Sequence, residues 1–167
     1  VVRLTALAYF QTEGLMVEVE AEGLPSGLQL VWAYGGVNGQ RGARDGDIGT
    51  ERVPISQYFQ LQAAFCEDNG FGLTETGFTL RAKPATLVGI VPTGARQGIA
   101  DAAHWNQLPA LLQSASAAPG TPPARPVVTG RVALANRTPL LISLQRIADD
   151  SVVTEDLATN RTVGADS

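Results

Sequence analysis

The sequence predicts an all-β protein, an antiparallel β-sandwich with one short helix near residues 106–113. Three observations predict it. Apolar and polar residues alternate with a period of two, most clearly where Leu15, Val17, Val19 and Ala21 interleave with Met16, Glu18, Glu20 and Glu22. Eighteen glycines and ten prolines break the 167 residues into the short segments that turns between strands require. Apolar residues make up 44% of the chain, enough for a core, whereas the 17% charged share favours strands and loops over helices.

In chain order, residues 2–10 read as a first strand and residues 11–14 as a turn. Residues 15–22 follow as a half-buried strand with glutamates on one face. Leu28, Leu30, Trp32 and Tyr34 form one face of a third strand, so the first three strands are expected to make a meander. Beyond a long loop, residues 59–61 read as extended and residues 63–66 as a helical turn. Residues 70–73 and 77–82 form a hairpin. Residues 85–91 are apolar on both faces and belong centrally in a sheet. Residues 97–102 make another short strand. Asn106 is positioned to cap the helix, with Pro109 in its first turn and Leu108, Leu111 and Leu112 on one face. The proline-rich stretch 115–126 reads as a surface connection. Residues 127–134 and 139–147 then read as a strand pair across Ala135-Asn136-Arg137-Thr138. The expected division is a sandwich domain over residues 1–147 and a tail or linker over 148–167.

The net charge of −4 and the scattered basic residues give nucleic acid no footprint. No run of about 18 apolar residues is present to span a membrane. One cysteine, Cys66, and one histidine, His104, exclude an internal disulfide and a Cys/His zinc cage. The chain opens on Val1, already in strand pattern, and its one methionine is Met16, so it reads as a piece of a longer chain.

The segment after Trp32 is where function is expected. Glycines at 35, 36, 39, 42, 46 and 49 share it with Arg41, Arg44, Asp45, Asp47, Glu51 and Arg52. Ordering so glycine-rich a backbone costs entropy. Arg–carboxylate pairs match geometrically and can hold such a loop. Other roles stay open for Asp45, Asp47 and Glu51: contact with a ligand, a structural calcium ion, or catalysis. The acids depart from the helix–loop–helix calcium pattern. Asp45 and Asp47 are also too close in sequence for a glycosidase pair unless the loop folds sharply. Tyr34 and Tyr58 flank the loop and suit stacking on a sugar ring, whereas Trp32 lies on an apolar strand face and reads as core. The glycines lack a following Gly-Lys-Ser/Thr, so no phosphate loop and no cofactor is indicated. Asp101 and His104 have the spacing of half a triad without a nucleophile elbow. Cys66 beside Phe65 reads as a small core residue. Asn136-Arg137-Thr138 and Asn160-Arg161-Thr162 are sequons. No residue is assigned as catalytic.

The motif Ala33-Tyr34-Gly35-Gly36 through Arg41-Gly42-Ala43-Arg44-Asp45-Gly46-Asp47-Ile48-Gly49, with Phe59-Gln60-Leu61, Phe65-Cys66-Glu67-Asp68-Asn69 and Phe78-Thr79-Leu80, resembles an uncharacterised N-terminal β-domain. That domain belongs to large Bacteroidetes proteins whose remainder is similar to six-hairpin (α/α)6-barrel glycosidases. The resemblance covers roughly residues 2–146. It implies a supersandwich-like fold, a role in carbohydrate metabolism and export to the periplasm or cell surface. It also implies a downstream catalytic domain as partner, with an oligosaccharide as ligand. In comparable enzymes the catalytic acids sit in the barrel.

Overall fold

The computed structural model describes residues 1–36, 62–117 and 120–147. These residues form nine strands and one short α-helix: β1 (Val2–Ala8), β2 (Gly14–Ala21), β3 (Gln29–Tyr34), β4 (Gly70–Leu73), β5 (Gly77–Ala82), β6 (Ala85–Ile90), β7 (Arg96–Asp101), α1 (Leu108–Ser114), β8 (Pro126–Ala133) and β9 (Leu140–Ile147). The all-β sandwich expected from the sequence is what the chain adopts. Every strand pairing is antiparallel. One sheet has six strands in the order β1-β2-β9-β6-β5-β4, and the other has three in the order β3-β8-β7.

Three local hairpins build most of the large sheet, β1–β2, β5–β6 and the β4–β5 hairpin expected over residues 70–82. In β1–β2, Leu4 lies opposite Val19 and Ala6 opposite Val17. In β5–β6, Ala82 faces Ala85, so Lys83-Pro84 is a two-residue turn. The expected central place for residues 85–91 holds, since β6 lies between β5 and β9. Two long-range pairings depart from the sequence reading. The first three strands are not a meander, because β3 crosses to the small sheet and pairs with β8. Nor do β8 and β9 pair with each other, since β9 joins the large sheet between β2 and β6. The physical reason is burial. From Pro126 to Gly130 every residue of β8 is buried, so this strand needs cover on both faces. The small sheet supplies such a place, with the large sheet on one side and helical segments on the other.

The core follows from this layering. Between the sheets, Phe78, Leu80, Val91 and Val128 are buried together with Trp32, Tyr34 and Leu144 packed against them. Val19, Val132 and Leu140 extend this layer toward β2. A second layer, made of Cys66, Ala100, Ala102, Leu111 and Val127, joins the outer face of the small sheet to α1 and two 3-10 turns. Aromatic rings cross the inter-sheet layer directly over glycines. Trp32 pairs with Gly130 and Phe78 with Gly89, and each ring fills the space a β-carbon would need. Full burial of Leu80 alone is worth about 1.5–3 kcal/mol.

Smaller expectations are also corrected. β1 ends at Ala8, and Phe10 is fully exposed. Gln107, not Asn106, precedes the helix, Pro109 does sit in its first turn, and no side chain caps it. Of the three leucines placed on one face, Leu111 is buried, Leu112 is half-buried and Leu108 is exposed. Pro126 opens β8 rather than ending the connection before it. The expected extended piece at 59–61 lies outside the described residues.

Candidate functional site

Of the residues singled out for ligand or interdomain contact, Tyr34 is described. Arg41, Arg44, Asp45, Asp47, Glu51, Arg52 and Tyr58 lie outside the described residues, as do the calcium expectation, the predicted Arg–carboxylate bracing and Asn160. Tyr34 ends β3 with its ring between the sheets, 6.1 Å from the Phe78 centroid. Phe78 in turn lies 6.2 Å from Phe71. Burial raises the Tyr34 phenol above its ordinary range, so it stays protonated at neutral pH. Tyr34 is thus an aromatic strut just before the 37–61 segment.

The frame that holds the 37–61 segment is well defined. Gly35 packs against Val127 and Cys66 so closely that a β-carbon there would sit 3.0–3.1 Å from their side chains. Gly36 has a φ of +80°, a turn that glycine takes without strain. The chain resumes at Gln62 and enters the 3-10 turn Ala63–Cys66, which returns it to the same cluster. Cys66 is completely buried. Burial pushes its thiol up and outweighs a hydrogen bond from the Gly36 backbone, while the charge of Asp101 pushes the same way as burial. It behaves as the small core residue expected. Around it, Asp101 accepts a hydrogen bond from the Ala103 N–H at 2.9 Å and so starts the 3-10 turn Ala102–His104. His104 is exposed, and Asp101 is a cap rather than half of a triad in this arrangement. Arg125 reaches Glu67 at 3.1 Å, and the Ala102 N–H donates to the Arg125 carbonyl.

Three features have structural settings that the sequence did not show. Arg96 and Arg131 lie directly opposite each other on β7 and β8. They flank a cleft of about 70 Å³ whose lining includes Gly98, Thr129, Leu112 and Ala115. Neither meets a carboxylate among the described residues. Two arginines side by side repel, and a cleft between them suits an anionic group. Only the β7–β8 register brings them together, so no single-strand pattern could have shown it. The second feature is Asn69, which is buried with neither amide atom hydrogen-bonded among the described residues. The third is Asn136, whose side chain clamps the turn before β3. Its Oδ1 accepts from the Leu24 N–H at 2.9 Å and its Nδ2 donates to the Leu24 carbonyl at 2.8 Å. The first sequon asparagine is therefore in structural use.

Among the described residues, no group of three His, Cys, Asp or Glu side chains is gathered to hold a metal. No described helix is long and apolar enough to cross a membrane. Fold and frame together define the class: an antiparallel sandwich domain that grips both ends of a glycine-rich insert on one buried cluster. The chain belongs to the family described as a domain of unknown function (DUF4450), whose model matches residues 1–160. No curated protein matches it.

Proposed function

We propose that this domain is the non-catalytic β-sandwich of a multidomain glycoside hydrolase, which packs on a downstream catalytic barrel and lends it the 37–61 segment. The observation that supports this reading is the clamp at Gly35 and Cys66. A rigid core that fixes both ends of a charge-dense insert is suited to presenting that insert to a neighbouring surface. The similarity of the 33–49 motif to domains that precede (α/α)6 barrels supplies the chemistry of the neighbour, along with the Bacteroidetes and periplasmic or cell-surface context. On this reading the acids Asp45, Asp47 and Glu51 serve an interdomain contact or the rim of a sugar cleft.

The experiment pairs the isolated chain with its parent protein. The 1–167 chain is expected to hydrolyse no glycoside, and Asp47→Asn in the parent is expected to weaken domain docking or lower kcat/KM. Turnover by the isolated chain that Asp47→Ala abolishes would overturn the proposal in favour of a stand-alone hydrolase. A second reading, a carbohydrate-binding module, draws support from the Arg96–Arg131 cleft, which suits a carboxylate-bearing sugar. A glycan array that includes uronic-acid oligosaccharides tests it. Binding lost in Arg131→Ala would favour the module, and no binding would favour the scaffold.

A further inference from the structure

The six-stranded sheet is twice as wide as the sheet packed on it, and the excess falls at β1. All seven residues of β1 are exposed. The hydrogen bonds show which way its backbone points. Val1 and Glu22 exchange bonds in both directions, and the Tyr9 N–H donates to the Gly14 carbonyl. The alternation of an antiparallel ladder then turns Arg3, Thr5 and Leu7 toward β2 as well. Val2, Leu4, Ala6 and Ala8 therefore direct their N–H and C=O groups away from the sheet. Their side chains share the inner face, opposite Ala21, Val19, Val17 and Leu15. Leu4 is 67% exposed and Val2 45%. Among the described residues no strand pairs with this edge.

Two of the other edges of the sandwich are blunted. β4 has four residues, two of them glycine. β7 is met by Ser116, which exchanges two backbone hydrogen bonds with Ile99. By contrast β1 carries no proline or lysine, residues that keep an edge strand single, and its one charge is Arg3.

We propose that β1 pairs antiparallel with β1 of a second copy of this chain, about a two-fold axis through Thr5. The strand is complementary to itself in that register. Val2 meets Ala8 of the second copy and Leu4 meets Ala6, so all four outward residues gain partners, about eight hydrogen bonds in all. Centring on Leu4 leaves Ala8 without a partner, and centring on Ala6 leaves Val2 without one. Thr5 faces Thr5, a favourable cross-strand pair. The strand's one charge, Arg3, is already held by Glu20 at 3.3 Å and faces Leu7 rather than another arginine. A closed two-fold contact of this kind joins the two large sheets into one.

Sedimentation velocity of the 1–167 chain over a wide concentration range tests the pairing. A dimer is expected with a dissociation constant on the order of 10–100 µM, the weak end that suits a small edge interface. Ala6→Pro removes an outward N–H and no β1–β2 bond, so it should weaken the dimer at least about tenfold with the circular dichroism unchanged. Should that variant not fold, Leu4→Lys charges the same exposed edge and carries the same expectation. Thr5→Cys should cross-link on mild oxidation, because the two-fold axis brings that position against itself, whereas Arg3→Cys should not. A chain that stays monomeric to about 1 mM overturns the proposal, as does a dimer indifferent to both edge variants. Equal cross-linking at positions 3 and 5 overturns the register.

Discussion

Gly130→Ala tests the packing between the sheets most directly. A methyl group at Gly130 would lie no more than 2.5 Å from three indole carbons of Trp32, against an ordinary contact of about 3.5–4.0 Å. Strand propensity alone would favour alanine by about 0.5–1 kcal/mol. Steric overlap opposes it, since overpacking a well-filled core costs about 1–3 kcal/mol. The ring has little room to yield, because Leu30, Val132 and Ala95 pack beside it. Exposing about half of a ring that buries 150–250 Å² would instead forfeit ~2–3 kcal/mol. The two costs are alternatives, rigid overlap or displacement, and set against the propensity gain they leave a net loss of about 1–2 kcal/mol. Urea unfolding followed by circular dichroism reads it as a lower midpoint at unchanged slope. The pair should also couple. Trp32→Leu opens the space the new methyl needs and removes a buried indole N–H that has no partner among the described residues. The double variant should therefore be more stable than the sum of the singles by about 1–2 kcal/mol. Gly130→Ala within about 0.5 kcal/mol of the parent would refute this account of the Trp32–Gly130 contact.

Leu111→Ala should cost about 2–5 kcal/mol, because Leu111 fastens α1 to Cys66, Ala100 and Val127; thermal unfolding that barely shifts would mean α1 is not docked there. Asn136→Ala should cost about 1–2 kcal/mol by releasing the Leu24 turn, and amide exchange at Leu24 should speed up selectively. The Cys66 thiol should resist alkylation in the folded chain at pH 8. Its raised pKa also has a stability consequence. The unfolded thiol ionises near its ordinary 9.0 while the folded one holds its proton, so stability falls as pH rises past about 9 and Cys66→Ala should flatten that fall. Arg131→Glu should replace repulsion across β7 and β8 with attraction and raise stability by about 0.2–1 kcal/mol, with the gain shrinking in high salt.

What depends on neighbours along the chain was legible before any fold was known. The period of two put Val17, Val19 and Ala21 inward on β2, and the turn residues placed the β1–β2 and β4–β5 hairpins of the large sheet. The two-sided apolar run marked β6 as central, and Cys66 and Trp32 were legible as core. A glycine-rich, charged insert between two apolar stretches was visible as the place where function should lie, although the stacking role read for Tyr34 met a half-buried ring beside Phe78. Which strands meet was set by long-range packing. Alternation says which face of a strand is buried and nothing about its partner, so β3 with β8 and β9 between β2 and β6 could not be read. The same gap hid the opposed Arg96 and Arg131, the Trp32–Gly130 stack and the convergence of Gly35 with Cys66. Each of these joins residues more than 30 positions apart, and such contacts are set by how two sheets of unequal width share one core.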